Sequence, residues 1–392
     1  MTNRIKIGNH YVGPSDPVYF IADVAANHDG DLEKAKDLIY SCAENGARAA
    51  KFQNFFAKSI VSDKGFRQMG GKFSHQEAWD KSIFEIYEDA SLPVTWTETL
   101  KETCADAGID YFTAPYSLEL VALLQPHVSA WKMGSGDITW HEEIEAMAKS
   151  GLPFIMATGA STMEEVSAAV NVARTHTDQM ILMQCNTNYT ARPDEPRGVT
   201  LERFRNINLK VLETFAGAFP GLSLGLSDHT HGHSTVLGAV GLFGARSIEK
   251  HYTLDNNLVG PDHPFSMNPE SWKLMVDRTA ELDEELSGDM SWKEKYQIVE
   301  SLCDDPEGLA LAIGDGIKRV EVNEKDTVVL QRRGLRATRD MKAGEAIGKE
   351  DLFPLRPCPT DALPPYEFVK CVSRKLAKDI EEGEHITLEH LV

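Results

Sequence analysis

The stretch VYFIADVAANHDGDLEKAKDLIYSCAENGARAAKFQ (18–53) decides the fold. Its first seven residues form a nearly unbroken apolar run, as in a strand covered on both faces. Leu32, Ala35, Leu38, Ile39, Cys42 and Ala43 then recur at helical spacing, and Gly46 stands where a helix C-cap is expected. A second apolar run, ARAAKFQ (47–53), closes a strand–helix–strand unit. The same alternation continues with IDYFTAP (109–115), AWKMGSG (130–136), PFIMATG (153–159), MILMQCN (180–186), LSLGLSD (222–228) and ARSIEKHYT (245–253). Eight such strands joined by helices predict a (β/α)8 TIM barrel, an α/β fold of about 250 residues. An open doubly wound sheet with a dinucleotide site has little support, because no GxGxxG follows the first strand.

After residue 288 the pattern changes. A polar, acidic stretch predicts a helical connector over 289–327. Within 328–392, DMKAGEAIGKEDL (340–352) matches DIEEGEHITLEHL (379–391) at an offset of 39 residues. Each half alone is too short to bury a core, so the repeat predicts a small pseudo-symmetric β-rich module. The expected organisation is a barrel over 1–288, the connector, and the module over 328–392.

Composition narrows the function. A formal charge of −20 over 392 residues excludes a broad nucleic-acid surface. No apolar run reaches membrane-spanning length and the N-terminus lacks a signal-type apolar core, so no membrane role is expected. The six cysteines form no CxxC pair, consistent with a reduced, cytoplasmic chain.

Charge concentrates where the strands end. Turn chemistry accounts for Gly, Ser, Asn and Asp there, but not for Lys51, Lys132, Glu249, Lys250 and His251 in otherwise apolar strands. Burying an unpaired charge costs several kcal/mol, and in barrels the C-terminal strand ends carry the active site. His229 in SDHTHGHS and His251 in IEKHYT end successive strands, which lie about 4.8 Å apart when paired. Packing, proton transfer or a shared metal ion are all open to them. Lys51 and Lys132 suit phosphate or carboxylate, and the loops GSGD and ATGAS add N–H groups ahead of helices. Asp23, Asp137, Glu249 and Asp262 can orient hydroxyls, handle protons or support a metal.

Taken together and in order, IADVAANHDG, KFQ, KMGSGD, GLSDHT, IEKHYT and GPDHPFSMNP resemble the sialic acid synthases. The repeat-bearing tail is similar to that family's antifreeze-like SAF (β-clip) domain. The resemblance implies condensation of phosphoenolpyruvate with an N-acyl hexosamine to a nonulosonic 2-keto acid, with release of phosphate. It also implies a domain-swapped homodimer and a divalent metal, Mn²⁺ ahead of Mg²⁺ or Co²⁺, on His229 and His251. Asp137, Glu249 and Asp23 take the catalytic positions in that resemblance. Lys51, Gln53, Lys132, Ser135, Thr158, Thr187 and Ser227 fall at substrate positions, those for phosphoenolpyruvate foremost. Tyr189 and Asp262 fall in the sugar pocket, with Arg356 reaching the partner's pocket. Departures are Asp23 in place of Glu, and Ala114 and Ala157 in place of phosphate-binding hydroxyls, with Thr113 and Thr158 as substitutes. The segment 67–90 is longer than the family pattern. A related 3-deoxy-ketoacid synthase and a catalytically silent homologue are the competing readings.

Overall fold

The computed structural model describes residues 4–69, 82–189, 191 and 195–392. Part of the long segment, 70–81, therefore lies outside the described residues. The strands are β1 (Ile5–Ile7), β2 (His10–Val12), β3 (Tyr19–Asp23), β4 (Ala49–Asn54), β5 (Asp110–Pro115), β6 (Trp131–Met133), β7 (Phe154–Ala157), β8 (Met180–Cys185), β9 (Ser223–Asp228), β10 (Ser247–His251), β11 (Gly334–Ala337) and β12 (Leu352–Leu355). Strands β3 to β10 form a closed parallel barrel in chain order, with β10 pairing back onto β3. These are the eight strands expected from the apolar runs.

The first unit shows why the chain folds this way. Asp31 caps the helix Leu32–Glu44 by accepting from the N–H groups of Glu33 and Lys34, and Ala35, Leu38, Ile39 and Cys42 are buried against the sheet. The antiparallel hairpin β1–β2 covers the N-terminal end of the barrel. There Asp110, at the start of β5, accepts from Tyr19 Oη (2.8 Å) and pairs with His10 Nδ1 (2.8 Å). With that end closed, access falls to the end where the strands finish.

The connector is more than a tether. Its helices Trp292–Leu302 and Pro306–Ala312 bury Val299, Leu309 and Ala312 in the barrel's own core. The tail has a separate core that includes Leu335, Met341, Ile347, Leu352, Leu376, Ile380 and Ile386. Its internal symmetry is visible in the hydrogen bonds. Met341 and Ile380, equivalent in the repeat, exchange backbone bonds of 2.9 and 3.0 Å. Asp379 accepts from Ala343 N (2.9 Å) and its counterpart Asp340 accepts from Glu382 N (2.8 Å).

Candidate active site

Strand alternation selects the site. Side chains two apart share a face, so Asp23, Lys51, Lys132, Ser227, Glu249 and His251 project into the mouth of the barrel, where all six line one cavity. The ladder places His251 beside Asp23, and Asp23 beside Lys51. Lys250 and Asp228 fall on the outward face, where Lys250 Nζ bonds Asp228 Oδ2 at 2.5 Å in a fully buried pair. That pair holds β9 to β10 and is structural.

The inward charges are matched two against two. Lys51 Nζ lies 2.6 Å from Asp23 Oδ2 and 3.4 Å from Glu249 Oε1, while Lys132 Nζ lies 3.2 Å from Glu249 Oε1. Ser227 Oγ donates to the same Glu249 oxygen (3.1 Å), and Gln53 Nε2 approaches Asp23 (3.4 Å). Burial alone would raise Glu249, but Lys132 and Lys51 hold its carboxyl down at about 2. Burial raises Asp23 against the pull of Lys51, and burial lowers Lys132.

The two imidazoles have ring centroids 5.4 Å apart, with Tyr189 edge-on to His229 at 4.5 Å and Phe265 at 4.9 Å from His251. Asn186 O lies 3.0 Å from His229 Nδ1. A carbonyl only accepts, so Nδ1 carries the proton and Nε2 keeps its lone pair. His251 Nδ1 and Glu249 Oε2 are buried without a hydrogen-bond partner. Burial depresses both imidazoles to about 3, which keeps them neutral. Two neutral imidazoles, with Asp23 Oδ2 3.4 Å from His251 Nε2, fit a divalent ion with open positions. Among the described residues no ready-made group of three or more His, Cys, Asp or Glu accompanies them.

The cavity encloses about 1080 Å³, part of it open to solvent, and is also lined by Gln53, Ser135, Tyr189, His229, Asp262 and Arg356. Asp262 Oδ2 accepts from Ala26 N (3.3 Å), and burial raises its carboxyl to about 6. An unfolded aspartate releases its proton near 3.8. Between those values the folded state holds the extra proton, so this group's contribution to stability falls as pH rises. Asp262→Asn should therefore flatten the pH dependence of Tm between about 4 and 6, as measured by thermal melts of both proteins. A parallel pair of curves would remove this assignment.

Three expected site residues lie outside the cavity wall. Asp137, expected to be catalytic, is tied on both oxygens, to Arg333 Nε (2.5 Å) and Arg356 Nη2 (3.2 Å). Thr158 donates its hydroxyl to Met183 O (2.9 Å), so it does not replace the hydroxyl missing at Ala157. Thr113 likewise donates to Asn54 Oδ1 (2.7 Å) and does not replace the one missing at Ala114. Thr187 donates both its N–H (2.7 Å) and its hydroxyl (3.0 Å) to Glu324 Oε1. Arg356 reaches the cavity of its own chain. His263 is buried between Thr253 (2.7 Å) and Asp29 (3.2 Å).

Sequence reasoning passed over Glu324, Arg332 and Arg333. Glu324 also accepts from Ala160 N (2.7 Å), and so pins the loops after β7 and β8 to the connector. Arg332 pairs with Glu165 (2.5 Å) and donates to Ala160 O. The paired arginines in QRRG, directly before an apolar strand, were the available signal. Glu324→Ala should cost on the order of 3 kcal/mol, because it orphans buried donors, with acetate or formate restoring part of the loss in urea unfolding. An unchanged midpoint would exclude the pin.

A barrel whose C-terminal end gathers two lysines, two carboxylates and a pair of neutral imidazoles defines an enzyme acting on an anionic substrate. Residues 38–291 match the NeuB family model and 332–392 match the SAF domain model. The chain belongs to the NeuB family. It is 30% identical over 396 residues to the N,N'-diacetyllegionaminic acid synthase of Legionella pneumophila, covering 100% of this chain and 99% of that one. To the human N-acetylneuraminate-9-phosphate synthase it is 26% identical, covering 97% and 94%. The crystal structure of the spore coat polysaccharide biosynthesis protein spsE from Bacillus subtilis superimposes with a TM-score of 0.76 at 29% identity, covering 100% and 99%.

Proposed function

We propose that the cavity condenses phosphoenolpyruvate with an N-acyl hexosamine, forming a 2-keto-3-deoxy sugar acid three carbons longer and releasing phosphate. The observation that carries this reading is the buried Lys51–Asp23–Glu249–Lys132 array beside the imidazole pair. Lys51 and Lys132 hold the phosphate and carboxylate of phosphoenolpyruvate, with Ser135 and Ser227 as hydroxyl donors at the same wall. A divalent ion, Mn²⁺ first with Mg²⁺ or Co²⁺ as alternatives, would sit on His229 and His251 and polarise the aldehyde of the open-chain sugar. The enol carbon attacks the aldehyde carbon, leaving positive charge at C2 of the former enolpyruvate, which the carboxylates of Glu249 and Asp23 face. Water adds at C2, its approach set by Glu249 Oε2, a buried cavity oxygen without a hydrogen-bond partner, and the proton it gives up passes to the alkoxide left on the former aldehyde. The C–O bond then breaks and phosphate leaves with its charge against the lysines. The purified enzyme should release phosphate from phosphoenolpyruvate only when an amino sugar is present. Absence of release across a panel of N-acyl hexosamines and plain aldoses sinks the reading.

The assembly we propose is a homodimer with exchanged tails. The pairs Arg333–Asp137, Arg356–Asp137 and Arg332–Glu165 all join tail to barrel, so an exchange preserves each of them. Mixing Arg333→Ala with His251→Ala should then restore about a quarter of wild-type activity by random pairing; no restoration excludes exchange. The six cysteines are all free thiols, consistent with a cytoplasmic setting, and no helix among the described residues is long and apolar enough to cross a membrane.

A further inference from the structure

Strand β5 runs out through Ala114 and Pro115 into Tyr116. Residues two apart share a face, so Tyr116 continues the inward face of Ala114 one step beyond the strand. Its backbone stays tied to the barrel, the N–H donating to Asn54 O (3.1 Å) and the carbonyl accepting from Arg333 Nη2 (2.9 Å). The ring is held on two sides. Phe55 meets it edge to face at 5.9 Å, and the Arg356 guanidinium lies 5.2 Å from its centroid. So fixed, the phenol oxygen reaches the turn after β6. The three atoms nearest a methyl group on Gly134 would all belong to Tyr116, with Oη first at 3.2 Å. Gly134 has ordinary extended backbone, φ −72° and ψ 150°, so what this glycine provides is room for that oxygen.

Tyr116 is only 8% exposed and lines the cavity, yet its hydroxyl enters no hydrogen bond among the described residues. Other hydroxyls of the same wall are engaged. Ser227 donates to Glu249 (3.1 Å), Ser135 accepts from Gly159 N (2.9 Å), and Tyr87 accepts from Arg356 Nη1 (3.4 Å). Burial holds the Tyr116 phenol well above its ordinary value, against the pull of Arg356 and Lys51, so it stays a proton donor. Its place in the barrel is equally specific: β5 stands between β4, which carries Lys51, and β6, which carries Lys132. Each of those ammonium groups already faces a carboxylate, Asp23 at 2.6 Å and Glu249 at 3.2 Å. A ligand with both a carboxylate and a phosphate has more acceptor oxygens than two shared ammonium groups can serve. Buried hydroxyls are rarely left unpaired, and this one is paired once its acceptor arrives with the ligand.

We infer that the Tyr116 hydroxyl is a substrate-binding donor to an anionic oxygen of phosphoenolpyruvate, beside the turn Gly134–Ser135–Gly136 and between the two lysine-bearing strands. The inference rests on the proposed condensation and adds one residue to its anion site. Phosphoenolpyruvate is titrated calorimetrically into the full chain with Mn²⁺ and no sugar, and the same proteins are assayed for phosphate release. Tyr116→Phe keeps the ring contacts and the backbone bonds and removes one oxygen. Its Kd and KM for phosphoenolpyruvate should rise about 10- to 100-fold, the scale of one hydrogen bond to a charged group, with KM for the sugar unchanged. The urea midpoint should not fall, since no hydrogen bond within the protein is lost. Gly134→Ala should also weaken phosphoenolpyruvate binding, by displacing Oη, and should add nothing in the Tyr116→Phe background. An unchanged Kd in Tyr116→Phe, or a rise in KM for the sugar alone, overturns the inference and leaves the condensation standing. An equal loss from Gly134→Ala in both backgrounds overturns the placement of the hydroxyl against that turn. Wild-type protein that binds no phosphoenolpyruvate overturns the condensation and the inference together.

Discussion

Lys51→Met is expected to lower kcat/KM for phosphoenolpyruvate by about 10²- to 10³-fold, as loss of one preorganised charge at a reacting centre does. It should also destabilise the barrel by about 3–5 kcal/mol, because Asp23 loses the ammonium 2.6 Å away and remains buried. The two effects have different cures, which separates them. Adding Asp23→Asn removes the uncompensated carboxylate, so the double variant should regain much of the stability in urea titrations. Activity should stay low, since the anion-binding charge is still missing. Recovery of activity together with stability would mean that Lys51 serves the fold alone.

His251→Ala should reduce kcat about 10³-fold or more, the scale of several kcal/mol of Lewis-acid stabilisation. Bound Mn²⁺ should fall with it, measured as metal content after dialysis against a fixed free concentration. The far-UV spectrum should not change, because the ring's contacts with Phe265 and Tyr189 are edge-on contacts between side chains. Unchanged metal content would reject the ligand assignment even if activity were lost. His229→Ala should behave alike, since its Nδ1 proton is fixed on Asn186 O and only Nε2 remains to bind.

The barrel was legible because its physics is local. Each apolar run is a strand covered on both faces, and each helical stripe covers the sheet outside it. The charged strand ends were legible for a related reason, since a lysine such as Lys132 inside an apolar strand requires a partner or a ligand. Alternation carried more than the motifs did. Thr113 shares a register level with Phe52 and Trp131, which face outward, so it was never placed to stand in for the hydroxyl absent at Ala114. That much follows from the two-residue period of a strand alone.

What the sequence withheld are pairings across long separations. Asp137 reads as a free acid in GSGD, and only folding brings Arg333 and Arg356 of the tail onto its two oxygens. Glu324 reads as one acid among many in VEVNEKD, yet it is buried and holds the N–H groups of Ala160 and Thr187. Periodicity and composition carry no information about such contacts. Part of the cavity wall was hidden differently. Ile86 and Tyr87 lie in the segment 67–90, where the family pattern gave no guide, and only folding brings them to the cavity with Phe55, Tyr116 and Arg356.

The most direct test of the central claim uses phosphoenolpyruvate labelled with ¹⁸O at the bridging oxygen, incubated with the enzyme, Mn²⁺ and an N-acyl hexosamine. The account predicts that the label leaves in the phosphate, in step with a keto acid three carbons longer than the sugar. Label retained in the keto acid, or phosphate released at the same rate without sugar, would contradict it.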